Sequence, residues 1–211
     1  MLIAIDGPAG AGKSTTARGV AAAIDGTYLD SGAMYRCVAL AALEQGLDLD
    51  DAGAVSRLAV DSQIDPGPPP TLDGRAVETQ IRTPEVSAAA SRVSVHPGVR
   101  EAMVERQREL ISNGSWVAEG RDIGTVVAPG AELKIFLTAD QRERARRRAD
   151  ETGIATEAVV QELADRDRRD TERDHGALKA ADDAIELDTT ELEPAQVVER
   201  IVELARERGL V

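Results

Sequence analysis

The plainest chemistry in this chain lies near its N-terminus, where Gly7-Pro8-Ala9-Gly10-Ala11-Gly12-Lys13-Ser14 satisfies G-x-x-x-x-G-K-[ST] in full. Glycines at that spacing let the backbone curl until successive N–H groups point at phosphate oxygens. A helix starting at Lys13 adds the partial positive charge of its N-terminus. Lys13 is then expected to reach the β and γ phosphates, and the Ser14 hydroxyl to join a magnesium shell, with Gly7 to Thr15 forming the donor site. The motif has this meaning only between a strand and a helix. The sequence supplies both: Leu2 to Ile5 is an apolar run stopped by Asp6-Gly7-Pro8, and Lys13 to Ile24 is an Ala-rich helical stretch. The expected ligand is a nucleoside triphosphate. A guanine-reading Asn-Lys-x-Asp would have to use Lys13, Lys134 or Lys179, and none fits, which weakens a GTPase switch. A phosphotransferase instead needs a second anion site and mobile arginines that close over the phosphates and exclude water.

Arginine is abundant. Every basic residue except those three lysines is Arg, and between Arg142 and Arg173 arginines and acids balance in number. Solvated helix faces explain this, and so do guanidinium forks for a small anion. Arg166 and Asp170 stand at i and i+4 and Arg173 at i+7, so all three are expected on one helix face. An intrahelical ion pair is the plainer account of them. Asp30 and Ser31 are helix-capping types in front of an apolar-periodic stretch.

With 211 residues, 42% of them hydrophobic and 30% charged, the chain suits one large α/β domain or two small ones with a real core. A 2% aromatic content and a net charge of -13 argue against binding a nucleic acid polymer, which wants stacking rings and a basic face. A lone cysteine, Cys37, excludes an intramolecular disulfide and a Cys-cluster zinc site, and it fits a reducing cytoplasm. No apolar run approaches the roughly 20 residues that cross a bilayer, and no signal peptide opens the chain, so a cytoplasmic protein with no membrane partner is expected. His96 and His175 lack metal-ligand partners at useful spacing, and Cys37 and Trp116 read as packing residues.

The remaining elements alternate. A short strand is expected at Tyr28-Leu29 and a helix from Ser31 to about 45, closed by Gly46. Residues 61–82 read as a small antiparallel insert, with Asp73-Gly74 turning between Thr71-Leu72 and Ala76-Val77. Thr83-Pro84-Glu85 starts a helix to about 94, and Pro97 another to about 112. Strands are expected at 116–119, 133–138 and 184–187, with helices at 140–150, 156–181 and 194–208.

Three further stretches carry a resemblance: Leu29-Asp30-Ser31-Gly32-Ala33-Met34-Tyr35-Arg36, Glu119-Gly120-Arg121-Asp122-Ile123-Gly124-Thr125-Val126-Val127 and Arg166-Asp167-Arg168-Arg169-Asp170-Thr171-Glu172-Arg173. With Ile81 to Ser87 and Ser91 to Arg100, they make nearly the whole chain resemble the bacterial cytidylate kinases. The resemblance implies a P-loop NTPase-type three-layer α/β fold with a five-stranded parallel sheet. The core would comprise 1–60, 101–150 and 181–211, a nucleoside monophosphate-binding insert 61–100 and a short helical lid 151–180. It implies a cytoplasmic, monomeric enzyme of pyrimidine nucleotide metabolism that uses ATP and magnesium to convert CMP or dCMP to the diphosphate.

Residue by residue, the resemblance puts Arg36, Arg121 and Arg173 on the acceptor phosphate and, with Lys13, in the catalytic set. It puts Ser91, Arg100 and Asp122 around the cytosine, Asp30 and Ser31 on the acceptor nucleotide, Arg166 and Asp170 on the pentose, and Arg144 and Arg148 near the ATP phosphates. A carboxylate at Asp122 would accept from the exocyclic amine of cytosine and face a lone pair on uracil, which predicts a CMP preference. Position 119 is Glu where many relatives are expected to carry Asp, and its role stays open. Two alternatives stand: another small-molecule kinase, such as a shikimate kinase-like one, and a non-catalytic ATP-binding regulator.

Overall fold

The computed structural model describes residues 1–153 and 155–211. In chain order its elements are β1 (Leu2–Asp6), α1 (Lys13–Ala23), β2 (Thr27–Asp30), α2 (Ser31–Glu44), α3 (Ala52–Asp61), β3 (Ile64–Asp65), β4 (Thr71–Leu72), β5 (Arg75–Ala76), α4 (Pro84–Val93), α5 (Pro97–Leu110), β6 (Trp116–Gly120), β7 (Leu133–Thr138), α6 (Gln141–Thr152), α7 (Thr156–Glu172), β8 (Ile185–Asp188) and α8 (Pro194–Glu207). A 3-10 turn at Gln80–Arg82 and a π-helical turn at Ile123–Val127 complete them. By their contacts the residues fall into two compact units, one of 1–28 with 113–211 and one of 29–112. The stretch 61–100, expected as an insert, lies inside the second.

The first unit is built on a five-stranded sheet of order β2-β6-β1-β7-β8. The β1 strand pairs in parallel with β6 and β7, and β7 with β8. Its central strands are near-continuous apolar runs because helices cover both faces of a parallel sheet. Ile3, Ile5, Val117, Leu133, Ile135 and Leu137 pack there with Val20 of α1 and Val197 and Ile201 of α8, all buried. Each such side chain contributes about 1.5–3 kcal/mol through burial. Parallel pairing has a functional consequence: Asp6 lies opposite Gly120, so the loop after β1 and the segment after β6 leave the same end of the sheet. That end, beyond the carboxyl termini of the strands, is where open α/β sheets bind ligands. At the opposite end of β6 the half-buried Trp116 donates its indole N–H to the Asn113 carbonyl at 2.7 Å.

In the second unit α2 packs on α4 and α3 on α5. The β3, β4 and β5 strands form a small antiparallel sheet whose turn uses Asp73 and Gly74, both at positive φ. The turn stands where the sequence placed it, with its return strand one residue earlier. Cys37 is fully buried on α2, and burial pushes its thiol up to about 11.

Two expectations need correction. The α3 helix was not anticipated: its apolar face is only Val55 and Ala59 on the buried side, Gly53 sits in its first turn, and the Asp51 cap to Ala54 N lies in an acidic run that reads as loop. The helix expected over 156–181 ends at Glu172, and Arg173 has extended backbone (φ -68°, ψ 141°). Arg173 therefore leaves the helical face it was to share with Arg166 and Asp170.

Candidate functional site

The phosphate loop spans the end of β1 and the start of α1, and helix α6 lies directly against it. A Cβ on Gly10, whose φ is +77°, would stand 2.8 Å from the Arg144 carbonyl oxygen, so both conformation and contact require glycine. Ala9 packs with Ala145, Ala149, Val159 and Leu163 of α6 and α7, which seats these two helices on the loop. Lys13 is buried, and its ammonium donates to the Pro8 carbonyl at 2.6 Å. Burial, with Arg121 and Arg166 nearby, pushes its pKa down to about 7 against the opposing pull of Glu119 and Asp170. The ammonium is thus held in the loop at a place where anionic charge would be welcome.

Ser14 Oγ donates to Glu119 Oε1 at 2.5 Å, and the Tyr28 hydroxyl donates to the same oxygen at 3.1 Å. A hydroxyl beside a carboxylate is a hard-oxygen pair that fits magnesium, which takes few protein ligands and completes its octahedron with water and phosphate oxygens. No cluster of three or more His, Cys, Asp or Glu suited to a metal occurs among the described residues. Glu119, whose role the sequence leaves open, stands beside the serine of the loop. The signal that finds it is spatial: Ile5, two residues ahead of Gly7, opposes Glu119 in the sheet register.

After β6 come Arg121 and Asp122, then the π turn. Arg121 Nε donates to Asp170 Oδ2 at 2.8 Å, both groups being mostly shielded from solvent. Arg173 Nη1 lies 3.7 Å from Asp170 Oδ1 and its Nη2 3.8 Å from Asp122 Oδ1, while its Nε donates to the Gly176 carbonyl. Burial alone would raise the Asp170 carboxyl, yet Arg121, Arg166 and Arg173 together hold it below the usual carboxylate range. Burial would likewise lower Arg121, and Asp170 reverses that. In this unit the structure therefore brings Lys13, Arg121, Asp122, Arg166, Asp170 and Arg173 into one electrostatic cluster. The ion pair between Asp170 and its arginines is real, and it is buried rather than solvated.

Of the two arginines expected near the ATP phosphates, Arg144 is tied in closely. Its Nη1 donates to the Ala9 carbonyl at 3.0 Å and to Asp167 Oδ2 at 2.5 Å, and its Nε to the Ala139 carbonyl at 3.1 Å. Asp167 Oδ1 also accepts from the Ala9 N–H at 3.3 Å, so a carboxylate of α7 sits on a phosphate-loop amide. Asp167 was missed from sequence because nothing local marks it among the acids of that helix. Arg148 is half-buried on α6 and Thr15 exposed at the start of α1, and Arg147 donates to the Thr189 hydroxyl at 3.0 Å and to its carbonyl at 2.6 Å. A cavity of about 530 Å³ opens there between the loop, Arg146, Arg147 and Thr189 to Pro194.

The second unit carries the other expected residues. Asp30 caps α2, accepting from Ala33 N at 2.8 Å, and its other oxygen accepts from Arg36 Nη2 at 2.8 Å with Arg82 Nη2 at 3.6 Å. Ser31 opens the helix and is buried. Arg100 is buried on α5 with its guanidinium 5.8 Å from the centre of the Tyr35 ring. Ser91 Oγ on α4 and Arg36 Nε are buried with no hydrogen-bond partner among the described residues. A buried polar atom left so costs about 1–3 kcal/mol, which marks both as groups awaiting a partner.

A cytidylate kinase family model matches residues 3–207. A cytidylate kinase of Solibacter usitatus is 49% identical over 99% of this chain and 93% of its own length. One from Exiguobacterium sibiricum is 50% identical over 96% of each chain. Among solved structures, a shikimate kinase of Acinetobacter baumannii in complex with shikimate is similar over 100% of this chain and 95% of its own, with a TM-score of 0.52 and 16% identity, a likeness of fold.

Proposed function

This chain belongs to the cytidylate kinase family, whose members are phosphotransferases, and from that premise we propose that it passes the γ-phosphoryl group of ATP to CMP or dCMP, acting as a monomer. The observation that carries the reading is the cluster around Lys13. A protein that only bound ATP would need the phosphate loop, but not Arg121 and Arg173 converging beside it.

A phosphate oxygen of CMP attacks the γ phosphorus in line, the bond from that phosphorus to the β,γ-bridging oxygen breaks, and the electron pair leaves with ADP. No general base is needed when the acceptor phosphate is a dianion. Lys13 holds the β and γ phosphates, with the amides of Gly7 to Thr15 cradling the donor and Arg144 and Arg148 reaching it from α6. Arg36, Arg121 and Arg173 hold the acceptor phosphate, and their planar forks fix the attacking oxygen. Asp30 and Ser31 bind the acceptor nucleotide, and Arg166 and Asp170 the pentose. Ser91, Arg100 and Asp122 read the cytosine, with Asp122 accepting from the exocyclic amine. Ser14, with Glu119 beside it, would hold magnesium, which when bound neutralises charge on the phosphates. The cavity beside Arg147 and Thr189 accommodates the nucleoside of the donor.

The test is ADP release with ATP and magnesium, offering CMP, dCMP, UMP, AMP and shikimate separately. Preferred turnover of CMP and dCMP is expected. UMP turning over as fast as CMP would sink the cytosine reading of Asp122 and Arg100. ATP binding with none of the five acceptors turned over would leave a nucleotide-binding regulator.

A further inference from the structure

Asp6 ends β1 directly ahead of the phosphate loop, and the reaction as described gives its carboxylate no part. It is only 5% exposed, yet both oxygens are engaged: Oδ1 accepts from Ile123 N at 2.8 Å and Oδ2 from Gly124 N at 2.7 Å. Those two amides open the π turn that follows Arg121 and Asp122 without a break. Two bonds to consecutive peptides fix both the position and the rotation of that segment, which one bond would not do. The approach is close. A Cβ on Gly124 would lie 3.4 Å from Asp6 Oδ2 and 3.2 Å from Lys134 Cδ. Lys134 is itself anchored to the Pro129 carbonyl at 2.5 Å and to Asp183 at 2.8 Å, so the far side of the turn cannot easily retreat.

We propose that Asp6 is a positioning residue that fixes Arg121 and Asp122, on the acceptor side of the reaction, to the root of the loop that holds the donor. This rests on reading Arg121 and Asp122 as acceptor-holding residues. The physical case is the isostere: asparagine at position 6 offers one acceptor and one donor to two N–H donors, so one amide loses its bond and meets a like dipole. The turn shifts, while the loop keeps its own amides and Lys13. Small displacements of groups that orient an in-line attack are costly, so the loss is read in the acceptor's kinetics.

The experiment compares Asp6→Asn, Gly124→Ala and Asp122→Asn with the unaltered chain, measuring ATP dissociation by calorimetry, KM and kcat for CMP, and thermal unfolding. Asp6→Asn is expected to raise KM for CMP about tenfold and lower kcat about tenfold, with ATP affinity within about threefold of the parent. Gly124→Ala, whose Cβ would crowd Lys134 Cδ at 3.2 Å and push the turn against the Asp6 carboxylate it touches, is expected to act in the same direction by about threefold, and it decides the matter if Asp6→Asn does not fold. A purely structural role predicts lower stability with both substrate affinities unmoved or weakened together, and that result overturns the proposal. If Asp122→Asn raises KM for CMP and Asp6→Asn does not, the assignment of Asp6 alone fails. If Asp122→Asn leaves KM for CMP unchanged, the acceptor reading fails and the proposal goes with it.

Discussion

Both units answer buried charge with the chain's own groups, and they differ at one uncharged hydroxyl. In the unit that carries the phosphate loop, the strong cations are already answered by the chain's own anions or carbonyls: Arg121 by Asp170, Arg144 by Asp167, Lys13 by the Pro8 carbonyl. In the unit of 29–112 the Arg36 guanidinium is likewise answered by Asp30 at 2.8 Å, while the buried Ser91 hydroxyl has no hydrogen-bond partner among the described residues. An ion in a low-dielectric site costs too much to leave alone, whereas one uncharged hydroxyl costs little enough to be tolerated. On the proposed reading, charge that holds phosphate is prepaired and then exchanged for substrate, while the hydroxyl assigned to the base waits for its partner.

The contrast breaks most visibly at Arg121. Replacing it with methionine leaves Asp170 short of its closest cation in a shielded place, and a loss of about 3–5 kcal/mol in unfolding free energy is expected. Phosphoryl transfer should fall by roughly 100-fold or more in the same variant. Denaturant melts and ADP release check the two effects, and a stable but inactive variant would show that the pair contributes nothing to folding. Ser91→Ala should do the reverse. Deleting an unpartnered hydroxyl leaves stability unchanged or about 0.5–1 kcal/mol higher, while KM for CMP rises about tenfold. A matched loss of stability would mean that the hydroxyl is bonded in the free protein.

Lys13 sharpens the comparison through pH. Its pKa, pushed down to about 7 by burial and by Arg121, lies below the ordinary lysine value, so near pH 8.5 the resting side chain is largely neutral. The charge of bound ATP favours the ammonium, and binding should take up close to one proton there, falling towards none at about pH 6. Calorimetry in two buffers of different ionisation enthalpy measures the uptake, and its absence at the higher pH would place Lys13 fully charged before ATP arrives.

Much of this was legible in the sequence where chemistry is local. The glycines and Lys13 of the loop are dictated by backbone curvature and charge, and β1, β6 and β7 by apolar runs that only a covered parallel sheet explains. The end of α7 was not legible. Helical periodicity runs on past Glu172 with no Gly or Pro before Gly176, and the chain turns because the Arg173 guanidinium meets the Gly176 carbonyl and two carboxylates, one of them remote in sequence. The π turn is likewise imposed by Asp6 from over a hundred residues away. The reach of Asp167 to Ala9 and Arg144 has the same character: acids in a charged helix look alike until the fold selects one.

The placement of the single tryptophan gives the molecule an asymmetric optical signature. Trp116 stands at the start of β6, the whole length of that strand from Gly120, and residues 29–112 contain no tryptophan at all. Its emission therefore follows melting of the sheet-bearing unit and stays indifferent to nucleotide at the far end of the strand. Unfolding of residues 29–112 is silent in that channel. Set beside far-ultraviolet ellipticity, which sees the helices of both, the one tryptophan tells whether the two units melt together or apart.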